Sequence, residues 1–212
     1  MQSLLNSNLQ TTVLMHADEQ PWIASPQAGV MRRLLFRIGE EQARATSLVQ
    51  YSAGSQFTPH VHTGGEEFLV LSGVFEDEWG SYPQGSYVRN PPGSQHTPRS
   101  PLGCTIFVKL RQFHADDDQR VVALLPTKGS KMLWHDANEE VWLHDVPSGV
   151  ALNVDSIQGL EVFVLNGTLR GDGFTLRPWS WMRLPPATPL HLEGGEQGGK
   201  VWVKHAALDL GF

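Results

Sequence analysis

Apolar residues along this chain recur at every second position in short runs, and glycine, proline and asparagine separate the runs. A period of two is typical of a half-buried strand, whereas an amphipathic helix needs a period near 3.6. No stretch predicts a helix of three turns. The sequence therefore predicts an all-β fold of many short strands. The clearest of them are Ala45–Ser52, Phe68–Leu71, Ser86–Arg89 and Thr105–Leu110.

A charged run, His114–Arg120, interrupts this pattern near the middle of the chain and is the best candidate for a linker. Beyond it, the second half repeats the first in weakened form. Three segment pairs carry the repeat: Glu67–Phe75 and Glu161–Leu169, Tyr87–Pro92 and Trp181–Pro186, Ile106–Lys109 and Val201–Lys204. Such an internal repeat predicts two similar domains in tandem, 1–115 and 120–212.

Four side chains of the first half have the types and the spacing of one metal site. His60 and His62 lie two apart, so a strand would direct both imidazoles to one face. The bend at Thr63-Gly64-Gly65 lets Glu66 return toward the same point. His96 follows the rigid turn Asn90-Pro91-Pro92-Gly93 and supplies the fourth ligand. Three imidazoles and one carboxylate suit Zn(II), Fe(II), Mn(II) or Ni(II), and suit calcium poorly.

The spacing around these residues is similar to the two cupin motifs. The first motif is matched by Gly54–Gly73 and the second by Gly85–His96. One departure is Arg99-Ser100, near which the family usually has an asparagine that is not a ligand. From Trp22 to Phe113 the chain more narrowly resembles the cupin domain of ChrR, an anti-sigma factor. The resemblance implies a double-stranded β-helix, the jelly-roll cupin barrel, and the internal repeat then implies two barrels in tandem, a bicupin.

The resemblance leaves two functions open. The ChrR cupin domain binds zinc and takes part in the response to singlet oxygen and organic peroxides, which implies a metal-dependent sensing or regulatory module. ChrR proteins also carry an N-terminal helical anti-sigma domain, whereas this chain opens almost directly into the barrel, so sigma-factor binding is not carried over. Similar cupins include Fe(II) dioxygenases that cleave diketones and hydroxyketones. Zinc is the preferred ion, iron(II), manganese and nickel are alternatives, and no catalytic residue is assigned beside the metal site.

The second half lacks the histidine pair. Counting from Gly149 places Asp155 and Ile157 at the two histidine positions. Only Glu161 and His191, the latter displaced by about one residue, are expected near a second site. Two such ligands rarely hold a metal. The second half is therefore predicted to be a degenerate cupin that lacks most of the metal ligands.

Other polar residues have both a functional and a structural interpretation. Glu67 either orients a ligand imidazole or is an exposed strand residue. Cys104 is expected in the core rather than as a redox thiol. One of Glu76, Asp77 and Glu78 could line the barrel mouth, and Tyr87, Arg89 and Lys109 could contact an anionic ligand. The remaining histidines are expected to be surface or structural residues: His16, His114, His135, His144 and His205.

Charge and composition limit the partners. The net charge is −6 and the sequence pI is near 5.8, with no basic stripe, so direct nucleic-acid binding is not expected. Met1–Gln10 has neither the basic start nor the apolar run of a signal peptide, and no membrane span is expected. A single cysteine, Cys104, fits a reducing cytosol. We expect a cytoplasmic protein, with a small-molecule ligand and homodimerisation left open.

Overall fold

Antiparallel strands make up nearly all of the regular structure in the computed structural model, which describes residues 4–40 and 42–209. The one helical element in these ranges is a 3-10 turn, Ala17–Glu19. The all-β prediction is therefore confirmed. Within the described ranges, no helix is long and apolar enough to span a membrane.

Two compact units divide the chain. The first contains the residues up to Ser7 and Gln20–Leu125, and the second contains Asn8–Glu19 and the residues from Pro126 onward. These units differ from the predicted domains 1–115 and 120–212 at two short segments, 8–19 and 116–125. Strand pairing explains both, because residues 13–16 pair with 180–183 and residues 121–124 pair with 86–89.

The strands are numbered in chain order through both units. The first unit contains β1 (Leu4–Leu5), β3 (Ile23–Ala24), β4 (Val30–Ile38), β5 (Arg44–Tyr51), β6 (Ser55–Gln56), β7 (His60–His62), β8 (Glu66–Asp77), β9 (Gly80–Pro83), β10 (Ser86–Asn90), β11 (Ser94–His96), β12 (Arg99–Ser100), β13 (Cys104–Leu110) and β14 (Val121–Leu124). The second contains β2 (Val13–His16), β15 (Lys131–His135), β16 (Glu139–Val146), β17 (Ala151–Val154), β18 (Leu160–Gly171), β19 (Phe174–Leu176), β20 (Ser180–Leu184) and β21 (Leu190–Ala206).

The first unit is organised around β8. Its main sheet runs β1-β4-β5-β13-β8-β10-β14, and the far end of β8 pairs with β9 and β12. A separate two-stranded sheet consists of β7 and β11. The four strands predicted most clearly correspond to β5, β8, β10 and β13. Aromatic side chains, among them Phe68, Phe75 and Tyr82, fill the core between the strands.

The second unit has a sheet in the order β15-β16-β21-β18-β20-β2, with β17 on β21 and β19 on β18. Its core is aliphatic and includes Val162, Val164, Val201 and Val203. This sheet repeats the pairing of the first unit, since β16, β21, β18 and β20 stand in the same order as β5, β13, β8 and β10.

A row of buried charged residues crosses the centre of each sheet. In the first unit, Glu67 lies opposite Lys109 on one neighbouring strand and opposite Arg89 on the other. In the second unit, the same places are taken by Glu161, Lys204 and Arg183. All six residues are buried. Burial of such charges is tolerated when they are paired. The shared row fixes the correspondence between the two halves residue by residue.

Candidate metal centre

Three histidines of the first unit meet on the small β7–β11 sheet. His60 lies opposite His96 in the register of these strands, and His62 lies opposite Ser94. Because side chains two apart on a strand share a face, both β7 imidazoles turn to the side on which His96 stands. His62 and His96 are buried, and His60 is half-buried.

The ligand atoms of these histidines converge with the Glu66 carboxylate. One ring nitrogen of each histidine lies within 4.8 Å of the other two. Nε2 of His62 is 2.8 Å from Nε2 of His96, and Oε2 of Glu66 is 3.5 Å and 3.4 Å from these two nitrogens. The structure thus brings the three histidines together and places the Glu66 carboxylate beside two of them, His62 and His96. Two nitrogen lone pairs at such a distance repel unless a cation or a proton lies between them, so the donor set fits a bound metal ion.

A glycine turn places Glu66 beside the histidines. Gly65 has a φ of 76°, in the left-handed region that favours glycine, and its N–H donates to the His62 carbonyl over 3.2 Å. The same carbonyl accepts from Gly93 N–H over 2.9 Å. His62 therefore anchors both the turn before Glu66 and the turn before His96. The ring of Phe113 packs where a Cβ at position 65 would lie.

Hydrogen bonds on the outer side of the ligands fix their orientation. Nδ1 of His60 lies 3.0 Å from the Thr58 carbonyl oxygen, and Nδ1 of His96 lies 3.1 Å from Oδ2 of Asp77. Since both acceptors need a proton on Nδ1, each imidazole keeps Nε2 as its lone-pair nitrogen. Nε2 of His96 is the nitrogen that faces His62 and Glu66. Such outer partners raise ligand basicity and hold the ring in place.

The outer partners are themselves connected. Oδ1 of Asp77 accepts from the Tyr82 hydroxyl over 3.0 Å, and that hydroxyl accepts from Arg120 over 2.6 Å. Nε of Arg120 donates to Oδ1 of Asn90 over 3.3 Å, and Nδ2 of Asn90 donates to Oε2 of Glu66 over 3.2 Å. The chain of bonds therefore begins at one ligand, His96, and ends at another, Glu66.

Electrostatics differ between the two buried imidazoles. Burial lowers the pKa of His62, and the neighbouring His96 and His60 lower it further, although Glu66 acts in the opposite direction. Burial also disfavours the His96 cation, but the hydrogen bond to Asp77 and the charge of Glu66 outweigh it and raise the pKa of His96. A neutral His62 suits metal ligation, because its lone pair needs no deprotonation.

Asp77 is held as an anion. Burial alone would raise its pKa, but the hydrogen bonds from His96, the Trp79 backbone and Tyr82 lower it. Burial and the Asp77 charge raise the pKa of Tyr82 to about 12. Tyr82 therefore remains a neutral donor to Asp77 near neutral pH.

Several sequence interpretations of single residues are corrected. Glu67 is neither exposed nor in contact with a ligand imidazole, because it faces the opposite side of β8 from Glu66, is buried, and accepts from the Tyr87 hydroxyl. Arg89 and Lys109 already bind protein side chains, so the expectation that they contact an anionic ligand is also corrected. Arg89 pairs with Asp117 over 2.5 Å, and Lys109 donates to Gln112 over 2.8 Å.

Apolar and small residues replace the ligands in the second unit. Gly93 N–H bonds to the carbonyl of His62, and in the second unit Ala187 N–H bonds to the carbonyl of Ser156. The same equivalence, continued along β17, β18 and β21, gives each ligand position a counterpart in the second unit. Val154 corresponds to His60, Ser156 to His62, Leu160 to Glu66 and Leu190 to His96. All four are buried. The donors that a metal needs are therefore absent from these four positions.

The strand register places the polar residues of the second half one position away from the ligand positions, which agrees with the displacement expected for His191 and corrects Asp155, Ile157 and Glu161. Asp155 and Ile157 are exposed and adjoin the ligand positions rather than occupying them. His191 follows the counterpart of His96, points outward and bonds to Asn153 over 2.8 Å. Glu161 corresponds to Glu67 and accepts from the Trp181 indole over 2.9 Å. A shift of one position turns a strand residue to the other face.

The outer network was not assigned from the sequence. Asp77 was one of three acidic neighbours on a strand, and the alternation alone did not select it. Asn90 and Tyr82 belong to turn and strand segments with no ligand spacing, and Arg120 lies in the predicted linker. These residues become functional candidates only through contacts between positions that are distant in sequence.

The fold is that of cupin proteins. Bacterial pirin YhhW from Escherichia coli, solved in complex with nickel(II), is similar with a TM-score of 0.73, 12% identity, and coverage of 93% of this chain and 100% of pirin. A candidate dioxygenase from Nostoc punctiforme has a TM-score of 0.72 at 16% identity, covering 94% of this chain and 84% of its own. A Cupin 2 conserved barrel domain protein from Leptotrichia buccalis has a TM-score of 0.60 at 15% identity, with coverage of 92% of this chain and 96% of its own. At these identities the likeness shows the fold alone.

The fold and the three-histidine cluster define a cupin with the donors of a metal site. Residues 10–114 match the family model of the ChrR cupin-like domain. This segment is therefore a ChrR cupin-like domain, and it contains all four candidate ligands. Comparison with curated proteins gives no significant match.

Proposed function

We propose that the first unit binds one divalent transition metal ion through His60, His62, Glu66 and His96, and that it acts as a zinc-dependent sensing or regulatory module. The observation that carries this proposal is the cluster of three histidines with the Glu66 carboxylate beside two of them. Three of these four side chains, His60, Glu66 and His96, have outer hydrogen-bond partners. Family membership supports the regulatory interpretation.

Zinc fits the chemistry of the donors. Zn(II) prefers imidazole and carboxylate ligands and is commonly four-coordinate when its role is structural. In that role the ion would hold the β7–β11 sheet against the start of β8. The state of the metal would then control the conformation of this surface, which is the property that a sensing module needs.

An Fe(II)-dependent dioxygenase that acts on a small diketone or hydroxyketone is the second candidate. It is favoured by the half-buried position of His60, which leaves the site approachable from one side, and by the likeness to the candidate dioxygenase. Four protein ligands leave positions on an octahedral ion for small molecules. The chain's own part in such a reaction would be to orient the ligands through Asp77, Thr58 and Asn90.

Metal content tests the shared part of both candidates. Inductively coupled plasma mass spectrometry should find about one ion per chain, and His62→Ala should reduce it to near zero. The matched control is His191→Ala, which removes an exposed histidine of the second unit and should change nothing. Equal metal content in the wild type and His62→Ala would refute the site.

Oxygen uptake separates the two candidates. The metal-free protein is loaded anaerobically with Fe(II) or with Zn(II) and then mixed with acetylacetone in aerated buffer. Zinc in the purified protein and no uptake with either ion would support the sensing module. Uptake with iron that is lost in His62→Ala would establish the dioxygenase instead.

We further propose that the two units form a bicupin in which the first unit alone binds metal. Support comes from the repeated strand order and the repeated buried charges, together with the apolar residues at the ligand positions of the second unit. A small-molecule ligand of the first unit fits either candidate function. A cytoplasmic location and a homodimer remain predictions.

A further inference from the structure

A cavity of about 560 Å³ opens in the second unit. Residues of β15, β16, β17 and the end of β21 surround it, together with the loops 136–138 and 155–158. Its volume lies within the range of about 300–1,000 Å³ that is usual for small-molecule sites. The cavity is separate from the metal centre, since every residue that lines it belongs to the second unit.

The cavity reaches the inner face of the sheet. Glu140, Trp142 and His144 alternate along β16 and therefore share one face. Trp142 and His144 lie opposite Val203 and Val201, which belong to the aliphatic core. Val154, which stands at the place of His60, also lines the cavity. The second unit thus keeps an accessible interior at the end where the first unit gathers its ligands.

Acidic residues determine the charge of the lining. It includes four carboxylates, Asp136, Glu139, Glu140 and Asp155, and neither lysine nor arginine. Glu139 is neutralised by Lys204 at 2.7 Å, and Asp136 accepts the backbone N–H groups of its own turn. Nδ1 of the exposed His135 lies 3.8 Å from Oε2 of Glu140, and no lysine or arginine of the lining faces this carboxylate. Glu140 and Asp155 therefore give the cavity its negative character, which disfavours anionic ligands.

An aromatic surface adjoins one of these carboxylates. The rings of Trp142 and His144 stack with centroids 5.5 Å apart and an angle of 16° between their planes. The indole N–H of Trp142 donates to Oε1 of Glu140, so the carboxylate lies at the edge of the indole. Burial and the neighbouring His205 lower the pKa of His144, which keeps this ring neutral near pH 7. A cation in this corner would meet both a carboxylate and an aromatic face.

We propose that this cavity binds a small organic cation, an ammonium group with an apolar or aromatic body. The ammonium lies beside Glu140 and against the face of Trp142, and the body contacts Leu152 and Ile157. Metal binding is not favoured at this place, because among the described residues only His60, His62 and His96 bring three such ligand atoms together. The site is independent of the proposed function, since it needs no metal.

Charge-matched probes test the site in the full-length, metal-loaded chain by isothermal titration calorimetry. The cationic probes are 2-phenylethylammonium and cyclohexylammonium, and the isosteres are neutral 2-phenylethanol and anionic 3-phenylpropanoate. At least one cation should bind, the neutral isostere should bind about fivefold to tenfold more weakly, and the anion should not bind. No binding of either cation at 10 mM, or equal binding of the neutral compound, would overturn the proposal.

Variants locate the site. Glu140→Gln keeps an acceptor for the Trp142 indole but removes the charge, and it should weaken the cation about fivefold to tenfold while leaving 2-phenylethanol unchanged. Glu193→Gln removes an exposed carboxylate of the same unit outside the cavity and is the matched control. His62→Ala should leave cation binding intact. Equal weakening in Glu140→Gln and Glu193→Gln, or loss of binding in His62→Ala, would place the interaction elsewhere.

Discussion

Replacing Asp77 by asparagine tests the outer network most directly. The substitution keeps the size of the side chain and removes one negative charge. Oδ1 of Asp77 accepts from the Trp79 N–H, the Gly80 N–H and the Tyr82 hydroxyl, so the amide oxygen of asparagine will take that side. The amide NH₂ then replaces Oδ2 and faces Nδ1 of His96, 3.1 Å away.

Two donors cannot share that contact. His96 relieves the conflict by moving its proton from Nδ1 to Nε2, the nitrogen that faces His62 and Glu66. The protonated Nε2 is no longer a metal ligand. Loss of an outer carboxylate partner usually lowers metal affinity about 10–100-fold. Because the Asp77 and His96 side chains are only 1% and 3% exposed, water cannot replace the bond, and we expect the upper half of that range, about 2–2.7 kcal/mol.

Competition with a chromophoric chelator measures the zinc affinity of the wild type and the Asp77→Asn variant. Glu76→Gln is the control, since it removes the adjacent carboxylate, which faces the other side of β8 and pairs with Arg99 over 3.0 Å. Long-range ¹H–¹⁵N correlation spectra of the metal-free proteins report the His96 tautomer. An affinity within twofold of the wild type, or an unchanged tautomer, would refute this account of Asp77.

Three further outcomes are expected. Gly65→Ala should lower the free energy of unfolding by roughly 2–4 kcal/mol in urea denaturation, because φ at this position is positive and the new Cβ would collide with Phe113. Gly54→Ala is the control: φ is positive there too, but the space around it is open, so the loss should be smaller and come from the backbone conformation alone. Arg120→Met should weaken zinc about twofold to tenfold, less than Asp77→Asn, because it acts one bond further out; an equal loss would contradict this order. Burial raises the pKa of the Cys104 thiol to about 11, so labelling by iodoacetamide at pH 8 should be about 100-fold slower than in urea. Since the folded pKa is the higher one, the stability that this thiol contributes is complete below about pH 8.5 and falls as the pH rises toward 11.

Local spacing accounts for the meeting of the three histidines and for the position of Glu66 beside two of them. The alternation of His60 and His62 determines a shared face, and a glycine turn of fixed length returns Glu66 to it. His96 follows a turn whose prolines and glycine leave few conformations. The all-β fold was predictable for the same reason, because strand periodicity is a local property of the sequence.

Contacts that depend on strand register were not predictable. The side of β8 on which Glu67 lies follows from pairing with distant strands. The sequence indicated that His191 is displaced by about one residue, but only the pairing of β17 with β21 identifies Leu190 as the residue at the position of His96. Asp77 lies nineteen positions before His96 and Arg120 thirty positions after Asn90, without any repeating pattern. The histidines of the second-unit cavity come from three separate strands, so His135, His144 and His205 gave no spacing signal.

Each unit includes a short strand from the other half of the sequence, β2 in the second unit and β14 in the first, and this limits how the chain can be cut. A fragment that ended at residue 115 would retain every candidate metal ligand but would lose Asp117, Arg120 and β14. It would leave the guanidinium of Arg89 without its partner Asp117, and β10 would become an open edge prone to intermolecular pairing. The remaining fragment would lack β2 and expose β20 in the same way. Expression of the metal-binding unit alone therefore requires residues on both sides of the apparent linker.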